Sequence, residues 1–147
     1  MTLLVPFDGS ELSEAALERA TEFAEFSGED VVALTVVPDE PEYALSRNWL
    51  DPTEPFDPGS IADRFESRVA EIAPSATFQC EIPEDVSSMA SITTDVIRTI
   101  RAVAHELDVS VIFIGSENAG RVSTPVSSVG APVSEDPGYD VYISRHA

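Results

Sequence analysis

The sequence predicts an α/β fold: an open parallel sheet of five strands with helices on both faces. Short apolar runs alternate with amphipathic segments of helical spacing, in the order β-α-β-α-β-α-β, and one more strand follows. The runs at residues 31–37 and 111–114 are almost continuously hydrophobic, as in parallel strands that helices cover on both faces. The second run leads into glycine, which is typical of a strand that ends in a ligand-binding turn. At 147 residues, we expect a single domain over residues 1–147.

A strand and a helix are predicted at the start of the chain. The apolar run at residues 3–7 is followed by a turn cluster of Asp8, Gly9 and Ser10. Ser10 suits a helix N-cap, because acidic residues follow in the first turn and apolar residues then recur at helical spacing. Gly28 is predicted to end this helix.

The segment after the second strand, residues 38–59, is irregular. It contains five prolines among acidic residues, so it cannot be one regular element. A connection of this length is unusual in a compact domain and is expected to be either functional or mobile. Two interpretations of its aromatic residues Trp49 and Phe56 stay open. They either form a lid or a partner surface, or they pin the segment onto the body of the protein.

The remaining elements follow from the spacing of apolar residues. A second helix is predicted from Ser60 until Pro74 ends it, with apolar positions at intervals of four, four and three. Residues 76–82 alternate loosely and are predicted as a more exposed strand at a sheet edge. A third helix is predicted over about residues 93–107 and a fourth strand over residues 109–115. The fifth strand, at residues 140–144, follows an irregular link.

The charge of the chain argues against two classes of partner. It has 27 acidic and 8 basic residues, a net charge of -19, and every basic residue is arginine. Repulsion of this size is largely screened in molar salt, where the screening length is about 3 Å. We therefore hypothesise a halophilic archaeon as the source, the alternative being an ordinary acidic mesophile protein. Without a basic patch, nucleic acid and anionic membranes are not expected as partners.

No membrane span or targeting signal is expected. No run approaches the roughly 20 apolar residues of a transmembrane helix. The N-terminus shows neither a basic region nor a signal-peptide core. We therefore expect a cytoplasmic protein.

The sequence predicts no catalytic residue and no metal ligand. Cys80 is the single cysteine and suits a small apolar strand position, and His105 and His146 do not stand at metal-ligand spacing from it. The sequence contains no Gly-x-Ser-x-Gly motif, so a serine hydrolase is not expected. We do not expect Asp8 to act as a covalent nucleophile, because the chain lacks the clustered acids and the lysine that a phosphotransfer domain needs. We expect no enzyme, or at most a weak ATPase.

The parallel sheet predicts one crevice for a ligand. Ligands of open parallel sheets bind beyond the carboxyl ends of the strands, where the strand order reverses. This rule brings Asp8, residues 36–38 and the stretch from Gly115 onward around the same crevice. Asp8 is expected either to accept a hydrogen bond from a ribose or an adenine amine, or to cap the first turn, and both roles are compatible.

Three motifs together resemble the universal stress protein (UspA-like) family. They are LVPFDGSELSEAAL at residues 4–17, ALTVV at residues 33–37 and VIFIGS at residues 111–116. The resemblance covers most of the chain, with the motifs in order and at the family's spacing. It implies a flavodoxin-like sheet, of the type also found in adenine-nucleotide alpha-hydrolases, with strand order 3-2-1-4-5. It also implies a homodimer joined through the last strand. The alternative is that the C-terminal tail covers the edge of this strand and no second copy pairs with it.

One branch of this family binds ATP through a glycine pattern. In that pattern two residues separate the first two glycines, nine separate the second and third, and Ser or Thr follows. The resemblance implies that Asp8 and Val36 contact the adenosine and that the glycine turn contacts the phosphates. The implied binding set for ATP or AMP is Pro6, Asp8, Val36, Ile114, Gly115, Gly120, Gly130 and Ala131.

The glycine loop of this chain departs from the family pattern. Four residues separate Gly115 from Gly120, although nine separate Gly120 from Gly130. Ala131 stands in place of the hydroxyl residue, and Pro132 removes a backbone N–H where phosphate binding would use one. The loop is therefore either a nucleotide-binding turn or a structural connection between strands.

The resemblance as a whole implies a dimeric sensor or interaction module that holds an adenine nucleotide. The alternative is a dimeric scaffold that binds no nucleotide and acts through protein contacts alone. Its contact surface would be residues 38–59 or the last strand.

Overall fold

A parallel sheet of five strands forms the centre of the fold. The computed structural model describes residues 1–83, 89–116 and 138–147. In chain order, the described elements are β1 (Thr2–Pro6), α1 (Glu11–Ser27), β2 (Asp30–Val36), α2 (Pro41–Ser46), α3 (Pro58–Ile72), β3 (Thr77–Glu81), α4 (Met89–Glu106), β4 (Val109–Gly115) and β5 (Asp140–Ser144). The sheet order is β3-β2-β1-β4-β5 and every neighbouring pair is parallel. This confirms the predicted fold class and strand order.

Strand β1 is buried on both faces of the sheet. Leu3 and Val5 pack in one apolar cluster with residues of α1 and α3. Leu4 points to the opposite face and packs in a second cluster with residues of α4. Because helices cover both faces, the strand residues Leu3, Leu4 and Val5 are fully inaccessible to solvent.

The ends of α1 follow the predicted capping chemistry. The Ser10 side chain accepts a hydrogen bond from the backbone N–H of Ser13, as an N-cap residue does. Two acidic residues, Glu11 and Glu14, occupy the first turn, where the helix dipole favours negative charge. Gly28 ends the helix in the left-handed conformation. The prediction for this helix is confirmed at both ends.

Two helices begin earlier than the sequence predicted. Helix α3 begins at Pro58 rather than Ser60, because proline is tolerated in the first helical turn and the Asp57 side chain accepts a hydrogen bond from the N–H of Gly59. Helix α4 begins at Met89, four residues before the predicted start. Helix ends are harder to place from apolar spacing than helix interiors, because the first turn need not contribute to the buried face.

Residues 38–59 contain a short helix and an apolar cluster of their own. Helix α2 begins at Pro41, again a proline in the first turn. Behind it, Trp49 and Leu50 are each only 8% exposed and pack with Ile61 of α3. Phe56 packs against the same cluster. This arrangement agrees with the interpretation in which the aromatic residues pin the segment onto the body of the protein.

Strands β3 and β5 lie at the two edges of the sheet, as predicted for both. Residues of β3 are partly accessible, whereas β2 is buried along most of its length.

Of the helices described, none is sufficiently long and apolar to cross a membrane.

Candidate functional site

The carboxyl ends of β1, β2 and β4 enclose a crevice. Five of the predicted binding residues line it: Pro6, Asp8, Val36, Ile114 and Gly115. They come from three strands that lie side by side, so the parallel topology brings them together. The other three predicted residues, Gly120, Gly130 and Ala131, lie outside the described residues.

Gly115 allows helix α1 to lie close to the end of β4. A Cβ atom at this position would lie 2.8 Å from Cβ of Leu12, which is closer than side chains tolerate. Leu12 and Ser10 both line the crevice, so the first turn of α1 forms one of its walls. The glycine therefore has a packing role here, whatever role the residues after it have.

Asp8 lies at the mouth of the crevice, and one of its carboxylate oxygens already accepts a hydrogen bond within the protein. Its Oδ1 accepts a hydrogen bond from the N–H of Ser10 at 3.0 Å, which is the turn-capping role expected from the sequence. Its Oδ2 lies 3.6 Å from Nη1 of Arg47, longer than the roughly 2.7–2.9 Å of a charge-assisted hydrogen bond. That oxygen can still accept a hydrogen bond from a ligand hydroxyl or amine.

The segment of residues 41–50 forms the outer wall of the crevice through three side chains. The Nε1–H of Trp49 donates a hydrogen bond to the carbonyl oxygen of Asp8 at 3.0 Å. The Trp49 and Tyr43 rings meet edge to face, with centroids 5.5 Å apart. The guanidinium of Arg47 lies over the Tyr43 ring, 4.9 Å from its centroid. The wall is thus aromatic on the inside and carries one positive charge.

The rest of the lining is largely apolar. It includes Leu34 and Val36 of β2 and Val96, Ile97 and Ile100 of α4, which pack in one apolar cluster. An apolar slot with a carboxylate and a guanidinium at its mouth suits a flat ring that carries a polar or anionic substituent. The enclosed volume is about 60 Å³, whereas small-molecule sites usually measure about 300–1,000 Å³. A purine ring therefore enters fully only if a wall moves outward.

Arg47 and Tyr43 line the crevice although the sequence did not predict them there. Both lie in the proline-rich segment, where apolar periodicity gives no information on placement. One signal was available: arginine is rare in this acidic chain, and Arg47 follows an aromatic residue at a spacing of four. At that spacing on a helical turn, a cation and a ring lie on the same side.

The two histidines and the cysteine, which were considered for metal binding, are not among the residues that line the crevice. His105 is exposed near the end of α4, and His146 is exposed in the C-terminal tail. Cys80 is half-buried in β3, where desolvation and then the charge of Glu81 raise the pKa of its thiol. Within the part of the chain that the structure describes, no group of three or more His, Cys, Asp or Glu side chains is placed to hold a metal ion.

A comparison with protein families identifies the chain. The model of the universal stress protein family matches residues 1–135. The chain belongs to the universal stress protein family. The match includes all eight predicted binding residues, and it extends over more than nine-tenths of the 147 residues. A search of curated protein sequences gives no significant match.

Solved structures of universal stress proteins share the fold at low sequence identity. One from Archaeoglobus fulgidus is 17% identical with a TM-score of 0.57, and the alignment covers 99% of this chain and 93% of that one. A universal stress protein in complex with cAMP is 22% identical with a TM-score of 0.52, over 100% and 98% of the two chains. A universal stress protein from Archaeoglobus fulgidus in complex with dAMP is 15% identical with a TM-score of 0.53, and the alignment covers 98% of this chain and 96% of that one.

Proposed function

We propose that this chain binds an adenine nucleotide, ATP or AMP, in the crevice, and that it acts in the cytoplasm as a dimeric sensor or interaction module. One observation carries the proposal. Side chains from three separate strands and from residues 41–50 converge on a single slot that is apolar inside and charged at its mouth. This is the combination that orients a heterocycle and its anionic substituent.

Two family members with this fold were solved with adenine nucleotides, one with cAMP and one with dAMP. In this chain, the apolar walls suit the adenine ring, and Oδ2 of Asp8 suits a ribose hydroxyl or the adenine amine. The roles of Gly120, Gly130 and Ala131 at the phosphates remain predictions from the family resemblance.

Calorimetric titration with AMP and ATP in about 1 M KCl tests the proposal, because the acidic surface is then screened. Fluorescence gives a second readout, since Trp49 is the chain's single tryptophan and forms a wall of the crevice. We expect Asp8→Asn to weaken binding about tenfold, as expected for a hydrogen bond to a charged group. Glu25→Gln removes one negative charge on the exposed part of α1 and should leave affinity unchanged. No heat with either nucleotide would refute nucleotide binding.

The second candidate is a scaffold without nucleotide, and the dimer that it shares with the first candidate draws support from the edge strand β5. Tyr142 is 44% exposed there, and its ring stacks on Phe113 with centroids 5.0 Å apart. An edge strand with an exposed aromatic side chain suits isologous pairing with a second copy of the chain.

Light scattering at micromolar concentration tests this pairing. We expect a dimer that Tyr142→Lys converts to a monomer, because lysine on an edge strand opposes strand addition. Phe26→Lys, at a 93% exposed position on α1, is the matched control and should stay dimeric. A monomeric wild-type protein would contradict the dimer in both candidate functions.

A further inference from the structure

Most of the crevice lining cannot move aside for a purine ring. The crevice holds about 60 Å³, well below the usual size of a small-molecule site. Five of its lining residues are buried together in one core cluster, namely Leu34, Val36, Ile97, Ile100 and Ile114. Displacing them would disrupt close packing at the centre of the fold. The part of the lining that opens therefore lies outside this cluster.

Trp49 stands between the crevice and a second hollow, which we call the rear hollow. The rear hollow measures about 420 Å³ and is lined by Asp8, Gly9, Ser10, Arg47, Asn48, Trp49, Ile61, Arg64 and Phe65. Trp49 lines the crevice as well. A turn of the Trp49 side chain away from the crevice would therefore find open space on its other side.

Two hydrogen bonds hold Trp49 in its present position. The indole Nε1–H donates to the carbonyl oxygen of Asp8 at 3.0 Å, at the end of the central strand. The carbonyl oxygen of Trp49 accepts from Nη2 of Arg64 at 2.6 Å. The first bond fastens the ring and the second fastens the backbone, so Trp49 is latched against the crevice at both ends of the residue.

The size of the indole matches the space that the ligand lacks. Indole and purine are both flat bicyclic rings of nearly the same size. If the indole turns into the rear hollow, the crevice gains about the volume of one such ring. The movement also frees the carbonyl oxygen of Asp8, which the indole N–H now occupies.

We propose that Trp49 is a gate, whose indole leaves the Asp8 carbonyl and turns into the rear hollow to admit the adenine ring. This inference rests on the proposed function and adds a conformational control to the same site. The closed position is the one in the structure, and the ligand binds the open one. Apparent affinity then depends on the fraction of molecules in which the gate is open.

Calorimetric titration of AMP and adenosine in about 1 M KCl tests the gate with two variants. Arg64→Leu removes the donor to the Trp49 carbonyl and keeps the indole, and Arg64 is not among the residues that line the crevice. Trp49→Phe keeps a ring but removes the donor to the Asp8 carbonyl. Because each variant loses one latch, we expect the open fraction, and with it the affinity for both ligands, to rise about fivefold.

Two further arginine variants serve as controls. Arg19→Leu removes the same charge from an exposed ion pair with Glu22 and should leave both affinities unchanged. Arg64→Lys keeps the charge and a donor, so its affinities should stay close to those of the wild type. Loss of a positive charge at Arg64 would by itself weaken the binding of an anion, so a gain in AMP affinity cannot come from the charge.

The emission of Trp49, the chain's single tryptophan, gives an independent readout. The indole leaves a position where Trp49 is only 8% exposed, so saturation with AMP should shift its emission to longer wavelengths. The shift is measured in the wild type and in Arg64→Leu, which both retain the indole.

Unchanged or weaker nucleotide binding by both variants, or an emission maximum that AMP leaves in place, would overturn the gate. The proposed function would still stand if the wild type binds AMP. Tighter binding by Trp49→Phe alone would assign the gain to the smaller ring and would also overturn the gate. No binding of AMP or adenosine by the wild type and both variants would refute the gate and nucleotide binding together.

Discussion

At the residue scale, two glycines that share a positive φ have different surroundings. Gly9 and Gly28 both adopt positive φ, 81° and 76°. A Cβ atom on Gly9 would lie 2.8 Å from Cε1 of Phe65, whereas a Cβ atom on Gly28 would meet nothing within 4 Å. Backbone strain applies to both positions, but a steric clash applies only at Gly9.

We expect Gly9→Ala to cost more stability than Gly28→Ala. The left-handed conformation alone costs an alanine about 1–2 kcal/mol, so this is the expected loss for Gly28→Ala. Gly9→Ala adds the displacement of the Phe65 ring, which packs edge to face on Phe7 and Trp49. Urea unfolding of the two variants measures the difference. Equal losses would show that the Phe65 ring moves aside without cost.

The ion pair between Glu14 and Arg68 joins α1 to α3. Arg68 donates from Nε and Nη2 to the two carboxylate oxygens of Glu14, both at 2.8 Å. These hydrogen bonds lower the pKa of the Glu14 carboxyl, against the opposing effect of its partial burial.

This lowered pKa predicts a pH-dependent contribution to stability. Because the folded pKa lies below the unfolded one, the contribution is fully present above about pH 4.3, the ordinary value for Glu. It is lost as the pH falls through the folded pKa. We expect Glu14→Gln to lower the unfolding free energy at pH 7 and to match the wild type at strongly acidic pH. A difference that is independent of pH would assign the effect to packing instead.

At the scale of elements, residues 41–50 dock on the body of the protein through Trp49. Its ring contacts Tyr43 on one side and Phe65 on another, with centroids 5.5 and 5.4 Å apart. Its indole N–H adds the hydrogen bond to the Asp8 carbonyl. One side chain thus links α2, α3 and the end of β1.

Trp49→Ala should destabilise the protein by about 3–5 kcal/mol, the usual cost of removing a buried aromatic side chain. Trp49→Phe keeps a ring in the cluster but removes the indole donor, so we expect a smaller loss of about 1 kcal/mol. Urea unfolding followed by circular dichroism measures both. If both variants lost the same stability, the hydrogen bond rather than the packing would hold the segment.

Periodicity predicted the long elements well because their burial pattern repeats along the sequence. The strand order followed from the family resemblance, and the convergence of Asp8, Val36 and Gly115 followed from the parallel topology. Helix α2 was not predicted, because its six residues make fewer than two turns and give no repeating pattern, and the prolines suggested irregular structure. For the same reason, the sequence did not place Arg47 and Tyr43 at the crevice. Their positions depend on how Trp49 docks, which is a long-range contact.

At the scale of the whole molecule, the net charge of -19 predicts that salt stabilises the fold. Self-repulsion is strongest in the compact state, and molar salt reduces the screening length to about 3 Å. We therefore expect the melting temperature to rise between dilute buffer and about 1 M KCl. A melting temperature that stays constant or falls would contradict the halophile hypothesis. The remaining interpretation would then be an ordinary acidic mesophile protein.

The central position of β1 has a consequence for synthesis of the chain. One edge of β1 pairs with β2, which follows closely, but the other edge pairs with β4, which begins only at Val109. At about 5–20 residues per second, a ribosome needs roughly 5–20 s to make the intervening hundred or so residues. During that interval the emerging first strand has an open edge, and Leu4 lacks the α4 residues that later cover it. The growing chain is therefore most exposed to misassociation before its second half has been made.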